Sequence, residues 1–153
     1  MDEARWALLK ASLDAQRQEI ARIFTKIEER QAHLDDPVYL ESLGYQLHNL
    51  YSAFEDLFKI VAEFFENRIA ERAEYHRELL RRMKIPIETV RPALLSEESY
   101  RLLDNLRAFR HFFRHAYEAE LDPKRVALVV EDALKLKNIY AQEIERFLGQ
   151  LRP

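Results

Sequence analysis

The sequence predicts an all-α fold, an up-and-down bundle of four to five helices, on three observations. Apolar residues recur at three- and four-residue steps along nearly the whole chain, glycine is confined to Gly44 and Gly149, and helix starts are marked by Asp-Pro and Ser-Glu-Glu sequences. A content of 48% hydrophobic and 33% charged residues fits long amphipathic helices better than sheets or disorder. The 153 residues suffice for one domain, 1–153, with its own core.

From Asp2 to about Leu34, Trp6, Leu9, Leu13, Ile20, Ile23 and Ile27 form one seam, with Gln16 in the polar gap. Asp36-Pro37 then supplies a capping carboxylate and a proline tolerated at the first helical position. The second helix carries Leu40, Leu43, Leu47, Leu50, Phe54, Leu57, Val61 and Phe64 in unbroken three-four alternation, so it pairs with the first as an antiparallel hairpin. A shorter third helix is expected from about Ile69 to Met83. Ile85-Pro86 and Arg91-Pro92 interrupt helical periodicity after it and make a connector. Ser96-Glu97-Glu98 opens a fourth helix with a capping hydroxyl and first-turn acids, running to about Glu120. Asp122-Pro123 starts a fifth, whose buried side is Val126, Val129, Ala133, Leu136, Tyr140, Ile144, Phe147 and Leu151.

Composition narrows the chemistry. The absence of cysteine excludes disulfides, thiolate metal sites and cysteine nucleophiles. No apolar run reaches the roughly 18 residues of a membrane span, and the acid-bearing N-terminus has no export signal, so a cytoplasmic protein is expected. A net charge of -3 is not the footprint of a generally basic nucleic-acid binder, so any such site must be local.

A local cluster exists in the fourth helix. Arg107-Ala108-Phe109-Arg110-His111-Phe112-Phe113-Arg114-His115-Ala116-Tyr117 is the densest run of functional side chains in the chain. At about 100° per residue, Leu106, Phe109, Phe112, Phe113 and Ala116 face the core. Arg107, Arg110, His111, Arg114, His115, Tyr117 and Glu118 are expected on the remaining arc, a cationic wall on an aromatic base. Taken alone, such a run reads as the solvated side of an amphipathic helix.

Arg110-x4-His115-x-Tyr117 resembles the Arg-x4-6-His-x-Tyr motif of the HepT family, the HEPN-domain ribonuclease toxins encoded beside MNT-type nucleotidyltransferase antitoxins. Flanking blocks extend the likeness: Gln46 to Glu55 resembles that family's second helix, Arg91 to Glu98 the approach to the motif helix. The stretches His76 to Met83 and Leu121-Asp122-Pro123 also fall where the family has similar sequences. One departure is His111, where many HEPN proteins have a small polar residue such as Asn after the motif arginine. It either substitutes as a hydrogen-bonding group or lies on the surface.

The resemblance implies a HEPN-like bundle and a metal-independent RNA cut, in which the ribose 2′-hydroxyl attacks its own phosphodiester to leave a cyclic phosphate and a 5′-hydroxyl. It implies His115 and Arg110 as the catalytic pair, and histidine has the near-neutral pKa suited to proton transfer. Arg110, permanently charged, can grip two phosphate oxygens. It further implies a homodimer with two motif copies facing one cleft, AMPylation of Tyr117 by an MNT-domain nucleotidyltransferase antitoxin, and no cofactor. Arg107, His111 and Arg114 are candidates for flanking phosphates or support. For Arg107 and Arg114 the structural alternative is ion pairing with Asp104 or Glu118, and for Tyr117 a ring that packs at the helix border.

Two rival readings come from the same residues. His111-x-x-x-His115 with Glu118 could form a helical metal site, against which Arg110 and Arg114 would repel a cation. A non-catalytic HEPN-like bundle could bind RNA or a partner without cutting. His48 on the second helix reads as a satisfied packing residue, and Asn49, Glu55 and Asp56 are candidate partners of the motif that sequence does not place.

Overall fold

The computed structural model describes residues 1–67, 74–117 and 119–153. Among them the helices are α1 (Glu3–Arg30), α2 (Pro37–Phe65), α3 (Tyr75–Met83), α4 (Glu97–Arg114), α5 (Pro123–Lys137) and α6 (Tyr140–Leu151), with a 3₁₀ turn at Gln31–His33. The all-α bundle read from sequence is present, and no strand occurs among the described residues beyond an isolated bridge between Ile87 and Arg91. The first part of the expected third helix, from Ile69, lies outside the described residues, as does Glu118.

The caps are those the sequence marks. Asp36 accepts from Val38 N, Ser96 from Ser99 N and Asp122 from Lys124 N, each satisfying an orphan amide of the first turn. Asp2 does the same for α1 through Arg5 N.

α2 is the axis of the bundle and packs against α1, α3, α4 and α5. One apolar stripe would not suffice for that. Its predicted seam is buried at Leu40, Leu43, Leu47, Leu50, Phe54, Leu57 and Val61, and a second seam of Gly44, Tyr51, Glu55, Phe58 and Ala62 is buried as well. Gln16, the polar gap in α1, donates to Ala53 O of α2 at 2.8 Å. Phe24 of α1 stacks on Tyr140 of α6 at 5.5 Å, and Phe54 of α2 meets that ring edge-on at 5.3 Å. Each such buried side chain contributes about 1.5–3 kcal/mol by leaving water.

Two buried ion-based contacts set the position of α4. Glu143 of α6 accepts from Ser96 N and Ser99 Oγ at its start. In the connector before it, buried Arg91 pairs with Glu66 and donates to the carbonyls of Arg82, Ile85 and Pro92.

Two helix boundaries differ from expectation. α4 stops at Arg114 rather than near Glu120, and the chain turns through i→i+3 bonds from His115 N to Phe112 O and Ala116 N to Phe113 O. The residues that would continue the helix explain this: Tyr117 is 88% exposed and Glu120 is exposed, so neither gains burial that would reward another turn. The expected fifth helix is broken into α5 and α6 at Asn138 and Ile139, where Asn138 N and Ile139 N also bond i→i+3 carbonyls.

Candidate active site

Arg110 does not stand in the exposed arc where a helical wheel centred on the phenylalanines puts it. It is 3% exposed and continues the buried line of Leu103 and Leu106. A guanidinium is tolerated there because the second seam of α2 brings a carboxylate to meet it. Glu55 Oε2 lies 3.0 Å from Arg110 Nη2 and Oε1 3.4 Å from Nη1, a two-pronged pair with both side chains almost fully buried. Nη1 also donates to Ser52 Oγ at 3.3 Å, and the guanidinium carbon sits 4.5 Å from the centre of the Tyr51 ring.

The same carboxylate serves a third helix. His76 of α3 places Nδ1 3.0 and 2.9 Å from the two Glu55 oxygens, and Lys59 Nζ lies 4.0 Å away. Tyr51 has a buried hydroxyl without a hydrogen-bond partner among the described residues. Burial first, and Glu55 second, push its phenol far above the ordinary tyrosine pKa.

The other motif residues point elsewhere. His115 is exposed at the C-cap of α4, with its ring 4.8 Å from His111, edge to face. Five residues along a helix turn the direction by about 500°, leaving Arg110 and His115 roughly 140° apart around the axis. A single chain therefore does not bring these two side chains together. Tyr117, beyond the helix end, lies on the rim of a groove of about 680 Å³ floored by Leu40, Phe113 and Leu121. Of the flanking arginines, Arg107 is paired with Asp104 at 2.8 Å, the structural alternative foreseen for it. Exposed Arg114 donates through Nε to His48 Nε2 at 3.1 Å. That contact requires neutral His48, whose pKa is lowered by burial, then by Arg114 and Arg110, against the Asn49 hydrogen bond. Among the described residues no group of three or more metal-ligating side chains is assembled, and Glu118 of the helical metal reading lies outside them.

A profile of the HepT-like protein family matches residues 42–151, which takes in most of α2, all of α3 to α6 and the whole Arg110-x4-His115-x-Tyr117 motif. The chain belongs to the HepT-like family. No solved structure matches it. For this HepT-like protein the resemblance seen in the motif and its flanking blocks thus covers most of the chain.

Two residues of this cluster were not placed by sequence reasoning: Glu55 was one of three candidate partners of the motif, and His76 was given no role. Glu55 had a signal: with Tyr51 and Phe58 it makes a second seam, and a carboxylate in one seam with a guanidinium in another marks a buried pair. His76 had none, since only folding brings α3 alongside Glu55. No described helix is long and apolar enough to cross a membrane.

Proposed function

We propose that this HepT-like protein is a metal-independent endoribonuclease toxin that acts in the cytoplasm as a homodimer and is silenced by AMPylation of Tyr117. The observation that carries the reading is the intact motif divided across the end of α4. Arg110 is held rigid by Glu55, while His115 and Tyr117 lie past the last helical turn in solvent.

In this reading His115 moves a proton during attack of the ribose 2′-hydroxyl, and Arg110 stabilises the phosphorane charge as it develops. Because one protomer turns the two groups apart, the cleft is composite, the His115 of one copy working beside the Arg110 of the other. Exposed Arg114 holds a neighbouring phosphate, a contact weakened by salt. An MNT-type nucleotidyltransferase transfers AMP to the Tyr117 hydroxyl. The groove beside it is within the roughly 300–1,000 Å³ usual for small-molecule sites, so a nucleotide there has surface to cover while its phosphate neutralises the local cations.

Growth arrest on expression tests this. Wild type arrests growth, His115→Ala and Arg110→Ala do not, and arrest unchanged by both substitutions refutes the nuclease. Incubation with the nucleotidyltransferase and ATP adds AMP masses that Tyr117→Phe abolishes. A second reading, a non-catalytic RNA- or partner-binding bundle, draws on one observation: the terminal nitrogens of Arg110 are already engaged by Glu55 and Ser52. It expects His115→Ala to retain both RNA binding and phenotype.

A further inference from the structure

Cutting RNA through its 2′-hydroxyl moves two protons, one away from the attacking oxygen and one onto the departing 5′-oxygen. His115 accounts for one of them in the reading above. His76, which that reading does not use, is the histidine held against the carboxylate that anchors Arg110.

Its Nδ1 is within 2.9 and 3.0 Å of both Glu55 oxygens, and its side chain is 47% exposed although the carboxylate is only 4% exposed. A carboxylate accepting at Nδ1 fixes the proton there, which leaves Nε2 as the acceptor. This is the arrangement in which a carboxylate orients an imidazole and stabilises the imidazolium formed when it takes a proton. Arg110 Nη2 is 3.3 Å from the same Nδ1, which sets the guanidinium's positive charge beside the imidazole. The groups facing His76 among the described residues are Glu55 and Lys59 from α2, Arg110 from α4 and the neighbouring Tyr75 ring.

We infer that His76 is the general base of the reaction, an inference that depends on the ribonuclease reading. Nε2 takes the 2′-hydroxyl proton as the 2′-oxygen bonds to phosphorus. The bond from phosphorus to the 5′-oxygen breaks, and that oxygen takes its proton from protonated His115. The products are the 2′,3′-cyclic phosphate and a free 5′-hydroxyl. Exchange with water then returns His76 to neutral and His115 to its protonated form. Glu55 is the positioning residue for both His76 and Arg110.

The test compares wild type, His76→Gln and His115→Gln as full-length proteins on two substrates. One is a short oligoribonucleotide; the other is a nucleoside 3′-(4-nitrophenyl phosphate), whose leaving group departs without a proton. His76→Gln should lose about 10²–10⁴-fold in kcat/KM on both substrates, with the acid limb of the pH profile abolished. His115→Gln should lose a similar factor on RNA together with the alkaline limb, and recover near wild-type rates on the aryl ester. His76→Asn, which keeps a donor for Glu55, should reproduce His76→Gln and so separates chemistry from folding. An unchanged acid limb in both His76 variants, or their rescue by the aryl ester, overturns the inference while leaving the nuclease intact. Wild type that cleaves neither substrate removes the ribonuclease reading itself.

Discussion

Replacing Glu55 with alanine removes the one carboxylate that Arg110, His76 and Lys59 share. The cost follows from burial. Glu55 and Arg110 side chains are each 4% exposed, so the substitution strands a guanidinium in the core, for which removal of one partner costs about 3–5 kcal/mol. His76 and Lys59 are 47% and 39% exposed and re-solvate, adding at most about 1 kcal/mol between them. Arg110 keeps Ser52 and the Tyr51 face, which places the expected loss near the lower bound, about 3 kcal/mol. With a urea m-value of about 2 kcal/mol/M, the midpoint should fall by about 1.5 M. The double variant Glu55→Leu with Arg110→Met leaves no orphan charge and should return to within about 1 kcal/mol of wild type. Urea titrations followed by helical circular dichroism measure Glu55→Ala and, as the four corners of the cycle, wild type, Glu55→Leu, Arg110→Met and the double variant. A loss below about 1 kcal/mol in Glu55→Ala, or a double variant whose loss is the sum of the singles, refutes the buried-pair argument.

Stability should also depend on pH through His48. Its folded pKa lies below the ordinary 6.5, so in that window the unfolded chain binds more protons. The stabilisation is full above the unfolded value and is lost as pH falls through the folded one. Urea midpoints between about pH 8 and pH 5 should decline less steeply in His48→Gln than in wild type, and equal slopes would remove the assignment. Gly44→Ala should destabilise, since a Cβ there meets Phe113 Cε2 at 2.8 Å and Leu121 Cδ1 at 3.0 Å. Overpacking of about 1–3 kcal/mol exceeds the roughly 1 kcal/mol gained in helix propensity. The expected thermal midpoint is lower by a few degrees, on the order of 2–4 °C per kcal/mol for this length, and a rise would contradict the close approach.

The helices, their caps and the motif were legible because each is written locally: Asp36, Ser96 and Asp122 declare their amides, and three-four spacing declares the seams. The premature end of α4 was not, because no breaker marks it. It follows from what Tyr117 and Glu120 fail to bury, which is a property of the folded surface. Placing Arg110 on the wet side was the error of fitting one stripe to a helix whose buried face also takes in Leu103 and a charged residue. The partner that makes this tolerable, Glu55, is 55 residues away in sequence, and His76 comes from a third helix.

The end of α4 at Arg114 cuts the motif into a clamped half and a tethered half. The guanidinium belongs to a rod pinned by its neighbours, whereas the imidazole and the phenol ride on the strand of chain that leaves it. Under the proposed silencing, a nucleotide on Tyr117 would displace His115 while Arg110 kept its Glu55 anchor. On that proposal the modification would leave the bundle whole, and its removal would restore activity without refolding.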